Sequence, residues 1–443
     1  MPGDRSRPGR PGPATTARRV GDGYRPYLIA VPAACLVGLV AGAFRWCLER
    51  ADRLRGSVLE SAAGLGGPGW LIPIALAAVG AAVACAIAQR VPYAAGSGIQ
   101  HVEAVWRDEA GPGPRSLWLV PAKFVGGLIA IGSGLLLGRE GPLVHMGAAI
   151  GSEAGRRTRL GSEDTRLLHT ALSGAGLAAA FTAPLGGLLF VCEEVTRTVR
   201  PRLVLLTLIG TATAVASSRL MVGDAPVFPV PGMPVPPVWM LPVFLLFGAA
   251  AGAVGAAYSA LVVGTLAVCD GLTRVPLVVR AAGIGAVVGL LMAWDPLLAG
   301  GGDQLSEQLV AGDSPAVAVL AAYLAVRFVA GPLSYAAATP GGLFAPLLAL
   351  GALWGTLTHA AAGPLLPEHS AGPGAFAVVG MAALFAGVVR APVTGVVLVV
   401  EMTGATALLV PLMIACFAAT LTADRLESEP VYDSLRRRMT ERP

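Results

Sequence analysis

The sequence predicts an all-α polytopic membrane protein made of two inverted-topology repeats of tilted and broken transmembrane helices. Three observations support this. Of 443 residues, 55% are hydrophobic and 13% charged, with a mean hydropathy of +0.69, against about a quarter charged in soluble domains. Stretches 26–44, 225–269, 328–367 and 402–423 carry no Asp, Glu, Lys or Arg, and about 20 apolar residues suffice to cross a bilayer. Finally, three sequence blocks recur in the same order in the second half of the chain.

Charge sets the orientation. The net charge of +5 lies mostly in short segments, with Arg5, Arg7, Arg10, Arg18 and Arg19 before the first apolar run and Arg436, Arg437 and Arg438 near the end. Basic flanks mark the cytoplasmic side. Both termini are therefore expected there, in a multi-pass cell (plasma) membrane protein that needs no nucleic-acid partner. Residues 1–24, rich in Pro, Gly and Arg, are expected to be a disordered basic tail. Arg18 and Arg19 read as an anchor for the first span in preference to an export signal. No polar stretch between Gly23 and Tyr432 is long enough to fold separately, so residues 25–443 form one membrane domain. Six scattered cysteines without a CxxC pair read as small core residues. The cluster Arg50, Arg53 and Arg55 after the first span runs against the charge rule.

The repeat organises the rest. Gly96-Ser97-Gly98-Ile99-Gln100, with Glu103, matches Gly300-Gly301-Gly302-Asp303-Gln304, with Glu307, at an offset of 204. At the same offset, GREGPLVHMGAAIG from Gly138 matches GLFAPLLALGALWG from Gly342. Ala183-Pro184-Leu185, with Gly187 and Glu193, recurs as Ala391-Pro392-Val393, with Gly395 and Glu401, at an offset of 208. The halves span about 70–220 and 275–424. Arg156, Arg157, Arg159 and Arg166 follow the first long block, whereas 356–373 contain no Lys or Arg. Equivalent loops therefore face opposite sides, as in inverted-topology transporters.

Between these blocks the helices read as short. Residues 124–138 and 141–155 are each too brief to span alone, and the breaks at 96–99, 138–141 and 341–345 leave free N–H groups at positive helix-dipole ends. Three such ends converging near the midplane attract an anion, with Ser97 adding a hydroxyl. Glu140 is an intramembrane carboxylate, and such a group is functional by default. It can occupy the anion's place when ionised and leave when protonated, which ties anion movement to a proton. Glu193 and Glu194 close the apolar run 167–192. Glu193 has a repeat counterpart in Glu401, but Met402 stands opposite Glu194, so Glu194 is the candidate for an asymmetric task such as taking protons from the cytoplasm.

With these residues in place, the chain resembles the CLC family of chloride channels and chloride/proton antiporters over essentially everything after residue 25. GSGIQ (96–100), GREGP (138–142) and GGLFAP (341–346) resemble its three anion-site motifs. Tyr432 in EPVYDSL resembles its C-terminal tyrosine, and RAPVTGVVLVVEMT (390–403) is similar to a further family segment. The resemblance implies a homodimer with one pore per subunit, and a C-terminal helix at about 429–440. It implies a chloride site formed by Ser97, Tyr432 and the backbone of Leu343 and Phe344, with Arg139 beside it. It further implies that Glu140 is the gating and proton-coupling glutamate, Glu194 the internal proton-transfer glutamate, and Glu103 with Lys123 a structural charged pair. Gln100 departs from the family's usual proline. The chain stops soon after Tyr432, so the cytoplasmic CBS domains of many eukaryotic members are expected to be absent, as in the prokaryotic type.

The function implied is a secondary active H+/Cl− antiporter, with a passive voltage- or pH-gated chloride channel of the same fold as the alternative. An acid at Glu194 favours exchange, since the channel branch typically lacks it. No enzymatic chemistry, cofactor or metal is expected. The five histidines form no HExxH and no GxxxxGK[ST] loop is present.

Overall fold

The fold is described by a computed structural model covering residues 24–111, 117–230, 232–363, 367 and 371–441. The basic tail expected over 1–24 lies outside the described residues except for Tyr24. Seventeen α-helices form among them. The first half comprises α1 (Arg25–Gly64), α2 (Leu71–Arg90), α3 (Ile99–Trp106), α4 (Leu119–Gly132), α5 (Glu140–Arg157), α6 (Ser162–Phe181), α7 (Pro184–Phe190) and α8 (Pro201–Val222). The connecting helix is α9 (Leu241–Gly271). The second half comprises α10 (Leu277–Trp294), α11 (Asp303–Ala311), α12 (Val317–Tyr335), α13 (Phe344–Ala362), α14 (Pro373–Val389), α15 (Pro392–Thr403) and α16 (Leu409–Arg425), and α17 (Val431–Thr440) ends the chain. Among the described residues, eight helical segments are long and apolar enough to cross a membrane. This is a multi-pass membrane protein.

The repeat seen in the sequence sets where helices begin. α5 starts at Glu140 and α13 at Phe344, both 204 residues apart like the motifs that precede them. α3 and α11 each follow a glycine in the left-handed region, Gly98 (φ 86°) and Gly302 (φ 97°), where a side chain is disfavoured. α7 and α15 start at Pro184 and Pro392, prolines tolerated at the first helical position. α6 and α14 end at Thr182 and Arg390, again equivalent and again left-handed.

Two isolated bridges draw the breaks together: Gly96 with Pro340, and Gly138 with Gly342. The second is reciprocal and antiparallel, with Gly138 N–H donating to Gly342 O at 2.7 Å and Gly342 N–H to Gly138 O at 2.9 Å. Repeat-equivalent segments paired this way are related by a local twofold axis. The two acids Glu193 and Glu401 obey the same axis. The Glu193 carboxylate accepts from Val393 N–H at 3.1 Å and Thr394 N–H at 2.7 Å, capping α15. Glu401 accepts from Leu185 N–H at 3.1 Å and Gly186 N–H at 2.7 Å, capping α7. Each half thus satisfies the orphan N–H groups of the other.

Three expectations change. α5 runs for 18 residues, about 27 Å at 1.5 Å per residue, because Glu153 pairs with Arg156 and Arg157 and carries the helix past the apolar stretch. The apolar run 167–192 is not one element: it breaks at Thr182, with Pro184 opening α7, and ends in a π-helical turn over Val191–Val195. The anomalous arginines also find a place. α1 is 40 residues long, about 60 Å, so its second half extends beyond a hydrocarbon core about 30 Å thick. There Arg50 lies over Trp46, and Arg55 pairs with Asp52 at 2.7 Å and donates to Gly132 O at 3.1 Å. These cations are fixed by local partners and do not report the side of the membrane.

Candidate functional site

The converging breaks place the starts of α3, α5 and α13 around one buried point. Gly96 N–H donates to Thr339 O at 2.9 Å and Gly341 N–H to Gly96 O at 3.3 Å, which locks the first and third breaks together. Lys123, buried in α4, gives its ammonium to Gly96 O at 2.9 Å and Ser97 O at 3.0 Å. Turning these carbonyls to the lysine points the loop's opposite side inward. α5 approaches so closely that a Cβ on Gly141 would lie 2.5 Å from Ser97 Oγ and 2.8 Å from Ser97 Cα. Only glycine fits there.

Ser97, Leu343, Phe344, Glu140 and Tyr432 are all completely buried. Ser97 Oγ accepts from Ile99 N–H at 3.4 Å, which leaves its own hydrogen free to donate. Among the described residues no backbone carbonyl accepts from Leu343 or Phe344 N–H, as expected at a helix start. The Phe344 ring packs on Phe181 and Phe385 at centroid distances of 5.3 and 4.5 Å, holding the turn rigid. Tyr432, in the first turn of α17, brings its hydroxyl inward with no hydrogen-bond partner. The ionisable groups that act on it are Tyr335, Glu194, Glu140 and Glu103. The site therefore offers hydroxyl and amide donors without a full positive charge.

Glu140 Oε2 accepts from Ala345 N–H at 3.4 Å, and Oε1 has no partner. The carboxylate thus sits on the N-terminus of α13, directly beside the free amides. Arg139 points the other way. Its guanidinium lies 3.7 Å from Asp303 and lines a cavity of about 450 Å³ together with Arg45, Glu49, Asp52 and Arg55. The Glu140–Arg139 tandem is not an ion pair within 4 Å, because consecutive helical residues diverge.

Glu194 is buried inside the π-helical turn, and neither carboxylate oxygen has a hydrogen-bond partner. Irregular turns of this kind recur at functional sites. Its neighbours are Glu103, Arg197 and Asp433. Glu103 and Lys123 do not form the expected pair: Lys123 is spent on the Ser97 loop, and Glu103 faces Arg436, 3.7 Å away. The charged pair that the resemblance implied is split here, with Lys123 under the loop and Glu103 toward α17. On that side Asp433 anchors α17, accepting from Arg197 and from Arg436 at 3.0 Å. Burial raises its carboxyl, but these two arginines outweigh burial and hold it below the usual carboxylate range.

The sequence reading missed Tyr335, the last residue of α12. Its hydroxyl accepts from Ser97 N–H at 3.4 Å across 238 positions. A tyrosine inside an apolar run looks like packing, and only the closeness of the first and third breaks turns it into a neighbour of Ser97.

Inverted repeats whose broken helices aim their amide ends at one buried, hydroxyl-lined point define a membrane ion-transport protein. The model of the voltage gated chloride channel family matches residues 79–424, and the chain belongs to that family. It is 36% identical over 428 residues to the H(+)/Cl(−) exchange transporter ClcA of Vibrio parahaemolyticus, covering 94% of this chain and 91% of that one. It is 36% identical to ClcA of Salmonella typhimurium, over 90% of this chain and 85% of that one. Among solved structures, a slow cyanobacterial Cl−/H+ antiporter superposes with a TM-score of 0.86 at 27% identity, covering 94% of this chain and 98% of that one. A CLC-type fluoride/proton antiporter, at TM-score 0.74 and 20% identity, shares the fold.

Proposed function

We propose that this chain exchanges chloride for protons across the cell membrane, as a secondary active antiporter with no covalent chemistry and no cofactor. The carrying observation is that the Glu140 carboxylate rests on Ala345 N–H, next to the free amides of Leu343 and Phe344. An ionised Glu140 and an anion compete for the same positive helix end. In this reading Ser97 Oγ, Tyr432 Oη and the two amides hold chloride, which enters as Glu140 leaves. Glu140 leaves when a proton neutralises its carboxylate, because a neutral acid no longer gains from the helix dipole. Arg139 supports the approach on the far side from α17.

Glu194 takes the proton on the α17 side in this proposal, supported by its burial without a hydrogen-bond partner and its position in the irregular turn. Glu103 lies between it and Arg436 and serves as a structural neighbour. In this reading the α17 side is cytoplasmic, supported by the basic ends of the chain. The homodimer implied by the family belongs to the same reading.

The test is flux in proteoliposomes. An imposed chloride gradient should drive protons in the opposite direction against no proton gradient. Chloride movement without proton movement would instead support the passive channel.

A further inference from the structure

We infer that Tyr335 is a further hydroxyl ligand of the transported anion, and that Gln100 sets the direction in which it donates. This rests on the anion-transport reading above and deepens it.

The case is one of counting donors. Tyr335 is 6% exposed, and its hydroxyl oxygen accepts from Ser97 N–H at 3.4 Å. The Gln100 amide nitrogen lies beside the same hydroxyl. A Cβ on Gly96 would meet Tyr335 Oη at 3.1 Å and Gln100 Nε2 at 3.6 Å, so the phenol and the amide nitrogen crowd one point of the loop. A phenolic oxygen has one hydrogen to give and lone pairs to receive. With the Ser97 amide directed at one lone pair and the Gln100 amide nitrogen beside it, the hydrogen turns away from the loop. Among the described residues, the hydrogen bond of the Tyr335 hydroxyl is with Ser97 N–H, as acceptor. Its hydrogen is left for something that is not protein.

The surroundings indicate what that is. Tyr432 Oη is buried without a partner among the described residues. Ser97 Oγ keeps its hydrogen as well. Buried donors left unused are costly, and the Ser97, Tyr335 and Tyr432 hydroxyls, none of them hydrogen-bonded to a carboxylate among the described residues, suit a small monovalent anion. Selective transport requires replacing the hydration shell of the ion. Each added donor helps most with the ion that loses most hydration, so Tyr335 favours chloride over bromide and iodide. The same geometry accounts for Gln100. A proline there has no side-chain N–H, and the phenol would be free to turn its hydrogen back toward the loop.

Calorimetric titration of chloride, bromide and iodide into the purified full-length protein tests this, with coupled flux measured on the same preparations. Tyr335→Phe should weaken chloride binding about tenfold, a change of about 1.4 kcal/mol, and weaken iodide binding much less, with H+/Cl− exchange slowed but still coupled. Gln100→Ala, which leaves the O–H in place, should lose only a fraction of that affinity. The double variant should match Tyr335→Phe alone. If tyrosine merely ties the loop, Gln100→Ala and Tyr335→Phe will have equal effects and the halide order will not move. Wild-type binding with an unchanged Tyr335→Phe overturns this inference alone. A wild-type protein that neither binds nor exchanges chloride overturns the transport reading and this inference with it.

Discussion

Ala345 N–H donates to Glu140 Oε2 at 3.4 Å, joining residues 205 positions apart in the first turns of two helices. These helices occupy equivalent places in the two repeats, so the bond spans the local twofold axis while its chemistry breaks the symmetry. α5 brings an acid to the meeting point, and α13 brings only amides.

The first prediction concerns that acid. Glu140→Gln keeps the size and a hydrogen-bonding oxygen but cannot ionise. Chloride flux should persist in proteoliposomes, and proton movement driven by a chloride gradient should fall to the level of protein-free vesicles.

Glu193 and Glu194 are adjacent yet should fail differently. Glu194→Ala is expected to abolish proton coupling with little change in melting temperature, since among the described residues its oxygens accept no hydrogen bond. Glu193→Ala removes the cap on α15 and should cost about 1–2 kcal/mol of stability, with coupling intact in whatever protein folds. Paired melting and flux measurements separate the two; equal loss of coupling in both would contradict the assignment.

Gly141 tests how tightly the site is built. In Gly141→Ala the new methyl meets the Ser97 backbone, which is fixed by Lys123 and cannot retreat. Overpacking of this kind costs about 1–3 kcal/mol. Chloride affinity should fall with stability, and Gly141→Ser should be no better.

A pH dependence follows from Asp433. Arg197 and Arg436 hold its folded-state acidity below that of the unfolded chain, so its contribution is fully present above the ordinary carboxyl range and lost as pH falls through the depressed value. The window lies below about pH 4. Asp433→Asn should lower the melting temperature at pH 7 and flatten the acid limb of the stability profile below pH 4. Because α17 carries Tyr432 into the site, chloride affinity should decline in parallel.

Much of this was legible in the sequence because the repeat is strict where backbone geometry matters. Gly98 and Gly302, Pro184 and Pro392, and the two glycine-led blocks survive in register since each fixes a helix start, and such constraints admit few residue types. Glu194 could be chosen over Glu193 for the same reason: an acid kept in both halves is a cap, and an acid present in one is free for another task. What could not be read was contact through backbone or through distant loops. Lys123 serves carbonyls, which leave no mark in a sequence, so the resemblance paired it with Glu103 instead. Tyr335 reaches Ser97 only because Gly96 pairs with Pro340. The break at Thr182 is made by a non-glycine residue in the left-handed region, and only Pro184 after it marks the place in the sequence.

The central claim is that an anion and the Glu140 side chain compete for one position at the start of α13. Anomalous diffraction from crystals of wild-type protein and Glu140→Ala, both grown in bromide, tests it most directly. The account predicts a bromide peak within hydrogen-bonding distance of Ala345 N in the variant and none there in the wild type at neutral pH, with a peak beside Ser97 in both. A wild-type peak on Ala345 N with Glu140 still in place, or no peak there in Glu140→Ala, would contradict it.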